Sequence, residues 1–186
     1  NLDTKKIIQA KKNKDNKIYN NYINLGSLES TVEKIITDKN TENFKFLGLI
    51  NIFFNNAKII NCIRDPFENY CSIYKTNFNS KALNWTNSKK EIKLYANYYF
   101  ELIKFWKSKK LTNIYDLNFE ELLAKPYVTI TKLITFCELE DNFNYKNFFK
   151  SKVSPVKTAS ANQVRGHIKK ENINKYKKFK NYFDFI

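Results

Sequence analysis

Arginine is rare in this basic chain, and its two arginines are therefore candidates for chemical roles. The chain carries 33 Lys plus Arg residues against 18 Asp plus Glu, but only Arg64 and Arg165 are arginines. Lysine replaces arginine at little cost in most surface ion pairs, whereas a planar, bidentate grip on phosphate or carboxylate needs the guanidinium. Lys, Asn and Ile dominate the composition, as expected of drift toward AT-rich codons. Arginines that persist against such drift are predicted to occupy functional positions.

Arg64 lies at a predicted turn from a strand to a helix. Residues 58–63 form a compact apolar run with β-branched side chains, which is typical of a buried strand. Asp65 is a good N-cap residue and Pro66 suits the first position of a helix, so a helix is predicted to begin there. A helix that begins after a parallel strand offers unpaired backbone N–H groups and the positive end of its dipole to an anion.

Ser72, on the same predicted helix, is a second candidate ligand for that anion. It lies roughly 10 Å of axial rise beyond the cap, at about 1.5 Å per residue. An extended arginine covers much of that gap, so Arg64 and Ser72 could bind one phosphate together. The alternative is that Arg64 pairs with Asp65 or Glu68 at the surface and that Ser72 is an ordinary helical serine. The spacing alone favours neither interpretation.

Helices and strands are predicted to alternate around this turn. Apolar residues recur at helical spacing in several segments, and Asn55-Asn56 ends one of these patterns. Strands that alternate with helices of about 10–15 residues indicate a parallel α/β sheet. Besides the helix that begins at Pro66, the predicted helices are 1–24, 43–54, 92–106 and 127–138, and the predicted strands are 32–37, 58–63 and 113–119.

Composition narrows the possible functions without choosing among them. The net charge of +15 suits nucleic acid or a phosphorylated ligand, although the lysines are scattered rather than clustered. No apolar run is long enough to predict a membrane-spanning helix. Cys62, Cys71 and Cys137 lack metal-ligand spacing, and His167 is the only histidine, so no metal site is predicted. Reduced thiols of this kind are typical of a cytoplasmic protein.

Four sequence blocks, in this order, resemble those of sulfotransferases. They are ITDKNTENFKFLGLI, KIINCIRDPFENYCSIYKTNF, FEELLAKP and VKTASANQVRGHI. The resemblance covers about residues 35–180 and is greatest to bacterial tetratricopeptide-repeat-linked and tyrosylprotein sulfotransferases. It implies a single sulfotransferase-like domain over 1–186, with an α/β fold similar to P-loop nucleotide kinases, in which helices flank a parallel sheet.

The resemblance also implies a reaction and assigns roles in it. A sulfuryl group would pass from 3′-phosphoadenosine 5′-phosphosulfate to an acceptor hydroxyl or amine, without a metal, and adenosine 3′,5′-bisphosphate would leave. Arg64 and Ser72 resemble the residues that hold the donor's 3′-phosphate, and Lys39 resembles the catalytic lysine that stabilises charge during transfer. Further contacts to the donor are implied for Ser160, Arg165 and Lys175. The acceptor is left open among carbohydrate, peptide and small molecule.

The chain departs from the family pattern in three places. The family's Pro-Arg-Ser-Gly-Thr-Thr-like phosphosulfate loop has no match, and the three glycines lie in other contexts. That loop, the first strand and the general base are expected upstream of Asn1, so the chain is expected to be the C-terminal portion of a longer domain and inactive by itself. Thr41 replaces the proline of DKxPxNF, and Phe119 stands where many members have tyrosine.

Two other functions stay open at this point. A catalytically inactive remnant would keep the fold and bind only nucleotide. A basic nucleic-acid-binding module would bind with an affinity that falls steeply with salt, and it would not select for a 3′-phosphate.

Overall fold

The computed structural model describes residues 35, 37–78, 80–109, 111, 113–140 and 173–182. These residues form two compact units. Unit 1 contains the described residues up to Ala57 together with those of Tyr98–Asn113, and unit 2 contains those of Lys58–Asn97 and those from Ile114 onward. The predicted helix over 1–24 and most of the predicted strand over 32–37 lie outside the described residues.

Unit 1 contains the predicted helix over 43–54. It is present as a 3-10 helix, Asn43–Phe46, which continues into α1, Leu47–Phe53, and a turn at Asn55-Asn56 follows it as predicted. Phe44 is buried, and its ring packs edge-to-face on Tyr98 and Tyr99 with centroid distances of 5.9 and 5.2 Å. This aromatic packing joins the helix to the second half of α3.

Helix α3, Lys89–Ser108, confirms the amphipathic pattern predicted over 92–106. Its Trp106 donates from Nε1 to the carbonyl of Phe44 at 2.9 Å. The Trp106 ring also lies 2.6 Å from the point where a side chain on Gly48 would place its Cβ. Glycine at position 48 therefore allows α1 to approach the indole closely.

Unit 2 contains two strands that pair in parallel, as predicted. Strand β1, Ile59–Ile63, pairs with β2, Ile114–Asn118, in the register Ile59↔Ile114 to Ile63↔Asn118. Helices α2, Pro66–Lys75, α4, Phe119–Ala124, and α5, Pro126–Phe136, flank this pair in the chain. The described residues thus show a small parallel sheet with flanking helices, which agrees with the predicted α/β class.

Burial of β1 differs from the prediction. Ile60 is 42% exposed and Cys62 is exposed, whereas Asn61, on the opposite face, is buried. The amide of Asn61 donates to Asp116 Oδ1 of β2 at 2.8 Å, which satisfies a polar group at a buried position. The apolar run suggested a strand buried on both faces, but only the face carrying Asn61 is packed.

The core of unit 2 joins α2 to the first half of α3. Phe67, Tyr70, Cys71 and Ile92 form a buried cluster. Trp85, from the 3-10 helix Lys81–Asn87, packs against this cluster and stacks on Tyr95 with a centroid distance of 4.1 Å. Tyr176 packs against the same cluster, so the stretch of residues 173–182 is brought to α2.

Helix α5 confirms the helix predicted over 127–138, but its most buried residue is not one of those predicted to face inward. The apolar residues predicted to face inward (Ile130, Leu133, Ile134 and Cys137) are half-buried. Thr129 is buried instead, and its hydroxyl donates to the carbonyl of Lys125 at 2.9 Å. Within the described ranges, no helix has both the length and the hydrophobicity needed to cross a membrane.

Candidate functional site

The predicted strand-to-helix turn is present in unit 2. β1 ends at Ile63 and α2 begins at Pro66, so Arg64 and Asp65 form the connection. Asp65 is the N-cap residue, and its carboxylate accepts the N–H of Glu68 at 2.9 Å. The predicted cap and the predicted first-turn proline are both confirmed.

The amino end of α2 is not the open anion site that the turn suggested. The N–H of Glu68 is bonded to the Asp65 carboxylate, and the N–H of Asn69 donates to the Asp65 carbonyl at 3.0 Å. The N–H of Asp65 donates to Glu120 Oε1 at 3.1 Å, and Pro66 has no N–H to offer. Two carboxylates of the protein therefore interact with this end, and a phosphate here would depend on side chains.

The Arg64 guanidinium lies at the carboxyl end of β1 and is partly buried. Its Nη2 donates to Glu68 Oε2 at 3.4 Å, and its Cζ lies 5.0 Å from the centroid of the Phe119 ring. The Arg64 side chain is 22% exposed, and the Glu68 side chain is only 4% exposed. The pair with Glu68 was one of the two interpretations of the sequence, but it is not a surface pair. A guanidinium has five N–H donors in a fixed fork, so one contact to Glu68 does not exhaust its binding capacity.

Phe119 is one of the departures from the family pattern, and here it contacts Arg64. The aromatic ring lies at the first position of α4, directly after β2. Cation–π attraction holds a guanidinium over an aromatic ring and favours one orientation of its plane. The side chain that replaces the family's tyrosine therefore contributes to the placement of Arg64.

Glu68 is a candidate site residue that the sequence predicts only as a surface partner of Arg64. Its Oε1 accepts the N–H of Tyr176 at 2.8 Å, so one carboxylate contacts both Arg64 and the stretch 173–182. One signal for its burial was available in the sequence. Glu68 stands next to Phe67 and one turn before Cys71, which places it beside the apolar face of α2.

Ser72 is half-buried on α2, one helical turn beyond Glu68. Residues four apart on a helix are neighbours on its surface, so Ser72 and Glu68 share one side of α2. The Ser72 carbonyl accepts the hydroxyl of Thr76 at 2.8 Å. Arg64, Glu68 and Ser72 therefore succeed one another along this side of the turn and helix.

Lys175 lies in unit 2 near this group, and its side chain is exposed. It precedes Tyr176, whose N–H is bonded to Glu68, and its Nζ lies 5.8 Å from the centroid of the Tyr176 ring. The predicted residues Arg64, Ser72 and Lys175 are thus all associated with α2. Ser160 and Arg165 lie outside the described residues.

Lys39 lies in unit 1, in an exposed loop that precedes the 3-10 helix Asn43–Phe46. Asparagine side chains shape this loop. Asn43 Nδ2 donates to Asp38 Oδ2 at 3.0 Å, and Asn40 Oδ1 accepts the N–H of Glu42 at 3.0 Å. These bonds order the loop although Thr41 stands at the position of the family's proline.

The Cys71 thiol, on α2, is not a nucleophile at neutral pH. Burial raises the pKa of Cys71, and the neighbouring Glu68 and Asp65 carboxylates raise it further, against a smaller opposing effect of Lys89. Since the thiolate is the reactive form, the thiol stays protonated and unreactive. In the part of the chain that the structure describes, no group of three or more His, Cys, Asp or Glu side chains is arranged to hold a metal ion.

Comparison with known proteins identifies the family. The model of the sulfotransferase family matches residues 3–143, and the chain belongs to this family. The match includes the DKNTENF loop and the strand-to-helix turn and ends before Ser160. The chain is also 32% identical over 149 residues to an uncharacterized protein of Aquifex aeolicus (strain VF5). That similarity covers 79% of this chain and 19% of the relative, so the chain spans about a fifth of the relative's length. No solved structure matches the chain.

Proposed function

We propose that this chain is a sulfotransferase domain that binds 3′-phosphoadenosine 5′-phosphosulfate, with Arg64 and Ser72 on the donor's 3′-phosphate. Membership in the family supports the reaction class. The observation that carries the site is the partly buried guanidinium at the carboxyl end of a parallel strand, in contact with Glu68 and Phe119. The carboxyl ends of parallel strands are where open α/β sheets bind their ligands.

Side chains, rather than the amino end of α2, provide the affinity for phosphate in this proposal. Asp65 and Glu120 already accept N–H groups at that end. Arg64 supplies a fork of donors that fits phosphate oxygens, and the hydroxyl of Ser72 supplies one more. Lys175 is exposed, next in sequence to Tyr176, whose N–H is bonded to Glu68, and we assign it a further contact to the donor. This arrangement favours a ligand whose phosphate reaches the side of α2.

The transfer itself follows from the chemistry of the donor. The acceptor oxygen or nitrogen attacks sulfur in line, the bond from sulfur to the bridging phosphate oxygen breaks, and the acceptor's proton passes to a general base or to water. Adenosine 3′,5′-bisphosphate leaves with the electron pair of the broken bond. Catalysis of such a displacement consists mostly of positioning and of charge stabilisation. We assign charge stabilisation to Lys39 and further donor contacts to Ser160 and Arg165. The single-domain organisation, the P-loop-like detail of the fold and the cytoplasmic location stay predictions.

Calorimetric titration with three nucleotides tests the proposed site. The chain is titrated with adenosine 3′,5′-bisphosphate, adenosine 2′,5′-bisphosphate and adenosine 5′-monophosphate. We expect the 3′,5′-bisphosphate to bind at least about tenfold more tightly than the other two, because one added charge-assisted hydrogen bond contributes at least about 1.5 kcal/mol. The 2′,5′ isomer is the matched control, since it carries the same charge in another position. Equal affinities for the two bisphosphates would show attraction by charge alone and would refute the site.

A further titration, with a DNA duplex, separates this proposal from nucleic-acid binding, which the net charge of +15 also suits. The affinity of a nucleic-acid-binding module for a DNA duplex falls steeply as the salt concentration rises. The logarithm of the affinity decreases linearly with the logarithm of the salt concentration. A duplex that binds at physiological salt, together with no preference among the nucleotides, would favour that function instead.

A further inference from the structure

Glu68 is buried in unit 2 and is bonded through both carboxylate oxygens. Oε2 accepts from Arg64 Nη2 at 3.4 Å, and Oε1 accepts the N–H of Tyr176 at 2.8 Å. Its neighbours Phe67 and Cys71 belong to the buried apolar cluster. A carboxylate removed from water is tolerated only where it is paired and hydrogen-bonded. Arg64 and the Tyr176 N–H are the groups that pair this carboxylate.

From this arrangement we propose that Glu68 is a positioning residue for the donor's 3′-phosphate, which fixes Arg64 and also holds the stretch that carries Lys175. The inference rests on the proposed function, because it assigns Glu68 a role at the same phosphate site. Glu68 does not touch the ligand. It acts through the guanidinium on one oxygen and through the backbone of residue 176 on the other.

A carboxylate next to an anion site has two possible effects, and they have opposite signs. If Glu68 competes with phosphate for Arg64, removal of its charge strengthens binding. If Glu68 orients Arg64, removal of its charge weakens binding. The structure favours orientation, because the carboxylate is anchored by the Tyr176 N–H and the Phe119 ring lies against the guanidinium. An arginine held in this way loses little conformational freedom when phosphate binds, and such preorganisation increases affinity.

The second partner links Glu68 to a positive charge from far along the chain. Tyr176 packs against the cluster that contains Phe67, and its N–H bond to Glu68 spans 108 positions of sequence. Lys175 is the residue next to this anchor. The Glu68 carboxylate thus contacts both Arg64 and the backbone next to Lys175, although these two residues are far apart in sequence.

The variant Glu68→Gln tests this role, because it keeps the size of the side chain and removes its charge. The measured quantity is the ratio of the dissociation constants for adenosine 5′-monophosphate and adenosine 3′,5′-bisphosphate, determined by calorimetry on the 186-residue chain. We expect this ratio to fall about tenfold in Glu68→Gln, with the affinity for the monophosphate unchanged. If Glu68 had a merely structural role, the substitution would lower the affinity for both ligands equally and would leave the ratio constant. Glu91→Gln, in the exposed first turn of α3, removes the same charge and is the control.

The outcomes distinguish this inference from the proposed function. If the wild-type chain shows no preference for the 3′-phosphate, both fail. If the wild type shows the preference and Glu68→Gln keeps or increases it, the positioning role alone is overturned.

A second measurement on the wild type does not depend on the folding of any variant. If Glu68 couples the phosphate site to residues 173–182, adenosine 3′,5′-bisphosphate should slow hydrogen exchange of the Tyr176 amide more than adenosine 5′-monophosphate does. Equal exchange with both nucleotides, at saturation, would overturn the coupling.

Discussion

Replacement of Arg64 by lysine keeps the positive charge and most of the side-chain length, and it removes the planar fork of donors. Apart from Arg64 and Arg165, the 33 Lys plus Arg residues are all lysine, so this change is the one that drift toward AT-rich codons would produce. The guanidinium at position 64 has two contacts that a lysine ammonium does not reproduce together. These are the bond to Glu68 Oε2 at 3.4 Å and the stacking on Phe119 at 5.0 Å.

The expected loss has two parts, one in binding and one in stability. Loss of one charge-assisted hydrogen bond to the 3′-phosphate costs on the order of 1.5–3 kcal/mol, which is roughly a tenfold to hundredfold loss of affinity. Poorer pairing with the buried Glu68 and loss of the stacking on Phe119 cost on the order of 1 kcal/mol of folding stability. The second part arises whether or not Arg64 binds phosphate, so stability alone does not test the site.

Calorimetry with two nucleotides separates the two parts. Adenosine 5′-monophosphate measures the binding that does not involve the 3′-phosphate. Adenosine 3′,5′-bisphosphate measures that binding together with the contribution of the 3′-phosphate. We expect Arg64→Lys to lower the affinity for the bisphosphate tenfold or more and to change the affinity for the monophosphate little. Thermal unfolding of the same samples measures the cost in stability.

The reasoning is refuted if Arg64→Lys unfolds at a lower temperature and yet binds the bisphosphate as tightly as the wild type. Arg64 would then be an internal partner of Glu68 without a role in ligand binding. That result would return the turn to the structural interpretation that the spacing left open.

Three further predictions concern neighbouring residues of the same helix. Ser72→Ala should weaken adenosine 3′,5′-bisphosphate about fivefold in calorimetry, through loss of a hydrogen bond of about 1 kcal/mol, and an unchanged affinity would remove Ser72 from the site. Asp65→Ala removes the N-cap bond to the Glu68 N–H and should cost about 1 kcal/mol in denaturant unfolding; no change would mean that the cap contributes nothing. Cys71, whose pKa is raised by burial and by the nearby carboxylates, should react with iodoacetamide more slowly than free cysteine at pH 8, and the reaction should accelerate only at higher pH; a rate equal to that of free cysteine would contradict this.

Local signals in the sequence were sufficient for the elements that support the site. Asp65 and Pro66 predicted where α2 begins, because a cap acts within four residues of itself. The apolar stripe over 92–106 predicted α3, and the alternation of helices and strands predicted a parallel sheet. Each helix and strand was recognised from residues that are neighbours in the chain, and the parallel sheet followed from the order of these elements.

Individual side-chain contacts between distant residues were missed. The amino end of α2 is occupied because Glu120 accepts the N–H of Asp65, a contact that spans 55 positions. Glu68 is buried, and its bond to the Tyr176 N–H comes from a distant part of the chain, whereas the pattern within α2 is only a weak signal of its burial. The exposed face of β1 was missed for the same reason, since an apolar run does not reveal which of its faces another element covers.

The most direct test of the proposed phosphate site is a crystal structure of the chain with adenosine 3′,5′-bisphosphate bound. We expect the 3′-phosphate oxygens within hydrogen-bond distance of the Arg64 guanidinium and of the Ser72 hydroxyl, with Glu68 still bonded to Arg64. A nucleotide that binds elsewhere, or one whose 3′-phosphate points to solvent while Arg64 contacts only Glu68 and Phe119, would contradict it.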